Sequence, residues 1–342
     1  MKIWLPYTAA NSGSSVFMHR LGAALNGKGI PAVVQEFPHN LQYIPHLLQH
    51  CRPPAGTTAV ISNSWSGFAF HRQDIFSISV EHLFVLDPAL SVYKSFAQTI
   101  FHEKILRHYL AQSYRSADHV VAVSAYTAHA LNETFPDVEV TVIRNGVDTA
   151  FFSPEVDARG LDRNRPFRLG FAGNHSRRKG VDLLVPTMQR LGPNFELWHT
   201  GPEMLDVPDG LRPHFVAKGR LDALAMRDFY RQCDALLVPT RLEGLPLTVI
   251  EAQACGLPII TTNCTSLPEV VADGVTGFVC PVDDVGAMVK AAHSLAENVG
   301  LRRHMSEAAR SRAMREFTFD YMVDAYVVLL ETAPQRAPVA SI

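Results

Sequence analysis

The sequence predicts an α/β protein of two doubly wound parallel-sheet domains. Three observations carry that prediction. At 342 residues the chain exceeds the size at which a single core usually keeps growing. Short apolar runs alternate with helical periodicity along it, the pattern of parallel strands joined by crossover helices. The strand runs are continuous rather than alternating, so both faces of each sheet are covered.

In the first half, Lys2–Leu5, Ala32–Gln35, Ala59–Ser62, Phe76–Val80, Val120–Ser124 and Val140–Ile143 read as strands. Ser15–Asn26, Leu41–Gln49, Phe96–Tyr114 and Tyr126–Glu133 read as helices. A polar break over Ser153–Pro166, poor in apolar residues and holding two prolines, reads as an interdomain linker. A second series follows, with strands at Phe167–Ala172, Phe195–His199, His214–Ala217, Ala235–Val238 and Ile259–Thr262. Gly274–Val279 reads as a tight turn with a short strand, and the chain from about residue 283 reads as helical. The last helix, Phe319–Glu331, shows an apolar stripe at Tyr321, Met322, Ala325, Val328 and Leu329. The expected organisation is a domain over 1–155, a second over 165–315, a helix over 316–334 and a frayed tail over 335–342.

Composition is that of an ordinary globular chain, 47% apolar and 19% charged. A net charge of −2 argues against a general nucleic-acid binder. The five cysteines show neither metal nor redox spacing, which suits buried reduced thiols in a cytoplasmic protein. The chain opens directly on a strand, without the pattern of a signal peptide, and no apolar run is long enough to span a bilayer. No His/Asp/Glu group has ligand spacing, so neither a metal nor a cofactor is expected.

Chemistry concentrates in Arg241–Ile260. The strand Ala235–Val238 runs into a loop carrying Glu243 and Gly244. A helix follows, with Glu251 eight positions after Glu243, and stops at Gly256-Leu257-Pro258. Backbone N–H groups around Leu245, Pro246 and Leu247 lie at the open helix start, a ready anion site. Glu251, read as about two turns into that helix, is placed for neutral hydroxyls. Phosphate at a helix start with a carboxylate for sugar hydroxyls describes a nucleotide-sugar site. A second loop, between the strand ending at Ala172 and the next helix, carries Arg177, Arg178 and Lys179 before Gly180. Cations there suit a diphosphate leaving group. Near the N-terminus, Ala9–Val16 is a run of small residues with Gly13, between the first strand and helix.

The Arg241–Ile260 stretch resembles the signature of retaining glycosyltransferases with two Rossmann-like domains facing across a cleft. This is the GT-B type, family 4-like, in the group that includes mannosyl- and glucosyltransferases of bacterial envelopes and polysaccharides. The residues that carry the resemblance are Glu243, Gly244, Glu251, Ala252, Ala254, Gly256 and Pro258. The match covers essentially the whole chain and is tightest from Gly170 to Gly277.

The resemblance implies that the C-terminal domain binds a UDP- or GDP-sugar and the N-terminal domain presents a saccharide or glycolipid acceptor. It implies transfer with retention of anomeric configuration, in a hexosyltransferase without nucleic-acid partners. It also implies that the final helix crosses back to the N-terminal domain. Residue by residue, Glu243 lies by the sugar, Glu251 holds the ribose, Lys179 neutralises the diphosphate and His82 contacts the sugar from the N-terminal domain. Gly13 stands in the family's Gly-rich loop, which usually has paired glycines. The family arginine falls at Asn174, so either Arg177 or Arg178 replaces that charge, or fewer cations hold the diphosphate. Arg220 or Leu221 falls near the nucleotide base.

Several residues keep two readings. Arg241 is a phosphate partner or a plain exposed residue. Glu81 orients His82 or faces solvent. Ser124, Asn145 and Asp148 read as structural first. The segment Phe101–Arg115, with Lys104, Arg107, His108 and Arg115, is a solvated face or one that rests on an anionic membrane. Two other functions fit the same architecture, a nonhydrolysing sugar-nucleotide epimerase and a catalytically silent nucleotide-sugar binder.

Overall fold

The computed structural model describes residues 1–9, 13–155, 165–204 and 206–332. It divides into two compact units, one of Met1–Asn145 with Phe319–Ile342 and one of Gly146–Thr318. The division falls ten residues before the expected one at 155; most of the proposed linker (156–164) and the tail expected over 335–342 lie outside the described residues.

The first unit holds β1 (Ile3–Thr8), α1 (Gly13–Gly27), β2 (Ala32–Phe37), β3 (Ala59–Asn63), β4 (Phe76–Glu81), α2 (Phe96–Ile100), α3 (Arg107–Ser116), β5 (His119–Ala122), α4 (Ala125–Thr134) and β6 (Val140–Val142). Its six strands are parallel in the order β2-β1-β3-β4-β5-β6. β1 and β4 are buried along their whole length, β1 as its continuous apolar run requires and β4 although Ser77, Ser79 and Glu81 alternate with its apolar residues.

The second unit holds β7 (Phe167–Phe171), α5 (Val181–Leu191), β8 (Phe195–Thr200), β9 (Phe215–Gly219), α6 (Ala223–Gln232), β10 (Ala235–Val238), α7 (Leu247–Ala254), β11 (Ile259–Thr262), α8 (Leu267–Val270), β12 (Gly277–Cys280), α9 (Val285–Glu297) and α10 (Val299–Glu316). Its six strands are parallel in the order β12-β11-β10-β7-β8-β9. Leu169, Leu237 and Ile260 from the strands pack with Leu184 and Met188 of α5 and Met288 and Leu295 of α9 in one buried cluster. Each such side chain contributes about 1.5–3 kcal/mol.

The chain then enters α11 (Phe319–Glu331), which packs on α1 in the first unit. Lys28 Nζ meets Asp324 at 2.8 Å, and the Arg20 guanidinium lies over the Phe319 ring. The doubly wound α/β class read from the sequence is thus what the molecule has.

Four local expectations are corrected. Leu41–Gln49 is not one helix but two 3-10 turns, His39–Gln42 and Pro45–His50, because Pro45 lacks the N–H that a continuous helix needs. Phe96–Tyr114 is helical but carries a π-helical turn at Phe101–Leu106. The strand expected at Val120–Ser124 ends at Ala122, and Ser124 accepts from Thr127 N–H as the cap of α4. In α11 the buried stripe is Met322, Val323, Tyr326 and Leu330, while Tyr321 and Val328 are exposed.

Candidate functional site

In an open doubly wound sheet, ligands bind beyond the carboxyl ends of the strands where the order reverses. In the second unit that point lies between β7 and β10, which are hydrogen-bonded neighbours. The loop after β7 carries Lys179, and the loop after β10 carries Glu243. Residues 64 positions apart therefore meet: Lys179 Nζ donates to Glu243 Oε1 at 2.5 Å.

The Lys179 loop is built as a short 3-10 turn, Arg177–Lys179, capped by Ser176, whose hydroxyl accepts from Lys179 N–H. Gly180 ends the turn at φ +74°, where a Cβ would stand 2.0 Å from the Pro239 carbonyl oxygen. Only glycine allows this approach, which seats the turn directly on the end of β10. Asn174, at the position of the family arginine, is exposed and accepts from the Ser176 hydroxyl at 3.1 Å.

Glu243 is buried, with 7% exposure. Thr240 Oγ1 donates to its Oε1 at 3.1 Å, and Arg178 Nη1 stands 3.7 Å from its Oε2 while donating to the Leu242 carbonyl at 2.5 Å. Burial by itself pushes the carboxyl up, but the charges of Lys179 and Arg178 and the bonds from Lys179 and Thr240 outweigh it and hold Glu243 below the usual carboxylate range. Its backbone N–H donates to Thr265 Oγ1 at 3.0 Å, from a threonine held at φ +47°. A β-branched residue in that region is strained, so the surrounding structure holds Thr265 there.

Arg241 is not a plain exposed residue: it is buried and paired. Its guanidinium pairs with both Asp182 oxygens at 2.7 and 2.8 Å, donates to Asp283 Oδ1 at 2.6 Å and bonds the Arg177 carbonyl. Its N–H donates to the Arg178 carbonyl at 2.8 Å. Two carboxylates raise its pKa further, and Arg241 serves as the clamp between the two loops. Of the two arginines left open for the missing family charge, Arg178 is partly buried beside Glu243 and Arg177 is exposed.

α7 begins at Leu247, after Gly244, Leu245 and Pro246, all buried. Pro246 at its N-cap supplies no side-chain acceptor, so the first N–H groups are not capped by that residue. Glu251 is thus about one turn into the helix, not two. It is buried at 6% exposure and accepts from the Tyr230 hydroxyl at 3.1 Å. Arg220 is not brought to this cluster. It is exposed beyond the edge strand β9, two strands from β7.

In the first unit, Gly13 opens α1, and the residues 10–12 before it lie outside the described ones. His82 follows β4 directly, with its ring edge-on to Phe17 of α1 at 4.7 Å. Its Nε2 is enclosed and meets no protein partner among the described residues, and burial pulls its pKa down to about 4. Glu81 neither faces solvent nor bonds the imidazole. It is buried and holds Ser64 and Tyr114. Among the described residues no three His, Cys, Asp or Glu side chains cluster as metal ligands, and no helix is long and apolar enough to cross a membrane.

Sequence reasoning missed Asp182, Asp283, Thr240, Thr265 and Tyr230. For the first four the sole signal was position, just past strand ends or in the first turn of α5; Tyr230, in the last turn of α6, carried none.

Two family descriptions match the chain in succession: Glycosyltransferase Family 4 over residues 12–151 and Glycosyl transferases group 1 over residues 166–298. A lipopolysaccharide core biosynthesis mannosyltransferase of Rhizobium meliloti is 31% identical over 240 residues, 64% of this chain and 66% of that protein. The match therefore spans just under two thirds of this relative. Among solved structures, sucrose-phosphate synthase from Thermosynechococcus elongatus superposes with a TM-score of 0.81 at 17% identity, covering 97% of this chain and 100% of that one. Anabaena HepE in complex with UDP-glucose superposes with a TM-score of 0.73 at 15% identity, covering 96% and 100%.

Proposed function

The chain is a glycosyltransferase of the GT-B, group 1 and family 4-like type, and on that premise we propose that it moves a hexosyl group from a UDP- or GDP-sugar to a saccharide or glycolipid with retention of configuration. The observation that carries this reading is the Lys179–Glu243 pair, set beside the start of α7 at the switch point of the second sheet. Transfer breaks the bond between the sugar C1 and the diphosphate, and the electron pair leaves with the diphosphate. Lys179, Arg178 and the N–H groups at the start of α7 stabilise that charge. The sugar carbon gains oxocarbenium character, and an acceptor hydroxyl attacks on the departing face, its proton passing to the departing diphosphate oxygen. Glu243 bonds the sugar hydroxyls, Glu251 holds the ribose, and His82 acts in the transfer.

The donor class is supported by HepE, which was solved with UDP-glucose. The acceptor class is supported by the lipopolysaccharide core mannosyltransferase. We place the protein in the cytoplasm, touching the inner membrane face peripherally. The membrane contact is supported by Phe96, Val92 and Leu47, which are 81%, 77% and 61% exposed in the same unit as the exposed cation Lys104.

A panel of sugar nucleotides incubated with the protein, with and without saccharide acceptors, tests the reading. Acceptor-dependent release of nucleoside diphosphate supports it. A free epimerised sugar nucleotide would make the protein an epimerase, and donor binding without turnover a silent binder. Because the loop cations take the leaving charge, activity should persist in EDTA; loss of activity restored by Mg²⁺ or Mn²⁺ would overturn that part.

A further inference from the structure

We propose that Glu81 is the positioning residue for His82, its carboxylate gathering four donors at the end of β4 and so fixing where the imidazole stands. The inference rests on His82 acting in the transfer. Glu81 is 1% exposed. Its Oε2 accepts from the Ser64 hydroxyl, beyond β3, at 2.8 Å and from the Tyr114 hydroxyl, on α3, at 2.6 Å. Its Oε1 accepts from Leu83 N–H at 3.2 Å, and the His82 N–H is also directed at the carboxylate. The backbone that carries the imidazole is therefore wound around this one group.

The ring itself is held more loosely. It meets Phe17 edge-on, and its Nε2 has no protein partner among the described residues. Orientation consequently comes from the backbone of His82 and Leu83, which Glu81 grips. An ionised carboxylate is acceptor-only and can take four donors. A glutamine at this position would set its NH₂ against hydroxyl and amide donors that now point inward. Protonation adds an O–H donor to the same crowded shell.

Burial raises the Glu81 carboxyl to about 7, against the opposing bonds from Tyr114, Ser64, Leu83 and His82. The groups facing it are the Tyr114 phenol, itself pushed well up by burial and by Glu81, and His82, pulled down to about 4. An acid limb near neutrality is therefore expected from Glu81 rather than from His82. Turnover should fall as pH drops through about 7.

The test uses the full chain with its donor and acceptor, comparing Glu81→Gln, His82→Ala and Tyr114→Phe in kcat, donor affinity and pH profile. His82→Ala and Glu81→Gln should each lower kcat by about tenfold or more, with donor affinity by calorimetry within about twofold of wild type. Glu81→Gln should also lose the acid limb near neutrality. Tyr114→Phe removes a bond that favours the ionised carboxylate, so its limb should move to higher pH. Wild-type kcat and an unchanged limb in Glu81→Gln, with His82→Ala impaired, would overturn the positioning role and leave the transfer reading intact. A silent His82→Ala would overturn the role of His82 and with it the positioning role of Glu81, while the transfer itself would stand. Should Glu81→Gln fail to fold, Tyr114→Phe decides: an unmoved limb counts against the proposal.

Discussion

Lys179 Nζ lies 2.5 Å from Glu243 Oε1, so the cation assigned to the leaving diphosphate is held by the carboxylate assigned to the sugar. Both are largely buried, with side-chain exposures of 17% and 8%. In the proposed reaction, binding of a diphosphate would draw Lys179 at least partly away from Glu243 and free Glu243 for the sugar hydroxyls. Preorganised charge of this kind acts without reorganisation at the moment of bond breaking.

The first prediction concerns which cations matter. Lys179→Ala should lower kcat/KM by about a hundred- to a thousandfold, the loss expected for one preorganised donor. Arg178→Ala should fall between, because its guanidinium is 3.7 Å from Glu243 and tied to the Leu242 carbonyl. Arg177→Ala should be nearly silent, since that side chain is exposed and only its carbonyl is used by Arg241. Steady-state kinetics of the three variants with the true donor decide it. Near wild-type turnover in Lys179→Ala would remove the lysine from the chemistry.

Glu243→Gln should change how stability depends on pH. The folded carboxyl ionises at lower pH than the unfolded one, because Lys179 and Arg178 outweigh its burial. Its contribution is therefore complete above about pH 4.3, the unfolded value, and is lost as pH falls through the lower folded value. The variant should unfold at lower temperature than wild type at neutral pH, by about 3 kcal/mol for a broken buried pair. The gap should close in acid. Thermal melts from neutral pH down to strongly acidic buffer give the answer, and a gap constant throughout would mean that the charge contributes nothing.

Much of this was legible in the sequence because doubly wound folds put ligand loops at strand ends. Lys179 and Glu243 each follow a continuous apolar run, so their loops could be named before their contact was known. The partners that hold the loops were not legible. Arg241 bonds Asp182 and Asp283, at sequence separations of 59 and 42, and no local pattern ties those three together. Its burial runs against the ordinary expectation for arginine, which holds only when the charge is unpaired. Tyr230 reaches Glu251 across 21 residues for the same reason. Elsewhere the misreadings are local. Pro45 breaks a helix that periodicity alone would continue, and an apolar count along α11 cannot tell the exposed Tyr321 from the buried Tyr326.

Gly180→Ala should disable the site without touching a charged group. Its added Cβ would fall 2.0 Å from the Pro239 carbonyl oxygen, and the φ of +74° is itself unfavourable for alanine. The left-handed conformation alone costs about 1–2 kcal/mol. Backbone cannot yield to that approach, so the turn over Arg177–Lys179 must shift away from β10. Donor affinity should drop together with the melting temperature. Calorimetric donor binding equal to wild type would show that the turn tolerates displacement.

The last prediction separates Glu251 from its neighbour Tyr230. The carboxylate is buried one turn into α7, and the phenol donates to Oε2 at 3.1 Å. If Glu251 holds the ribose, Glu251→Ala loses a charge-assisted bond of about 1.5–3 kcal/mol. Donor KM should then rise roughly tenfold to a hundredfold, with kcat much less affected. Tyr230→Phe leaves the carboxylate in place and removes only one bond that orients it. Its donor KM should rise by a few-fold, about the 1 kcal/mol of an ordinary hydrogen bond. Because Tyr230 and Glu251 share that bond, the double variant should cost less than the sum of the two singles. Strict additivity in donor binding would mean that Tyr230 does not act through Glu251. Unchanged donor titration in Glu251→Ala would take the carboxylate out of the donor site altogether.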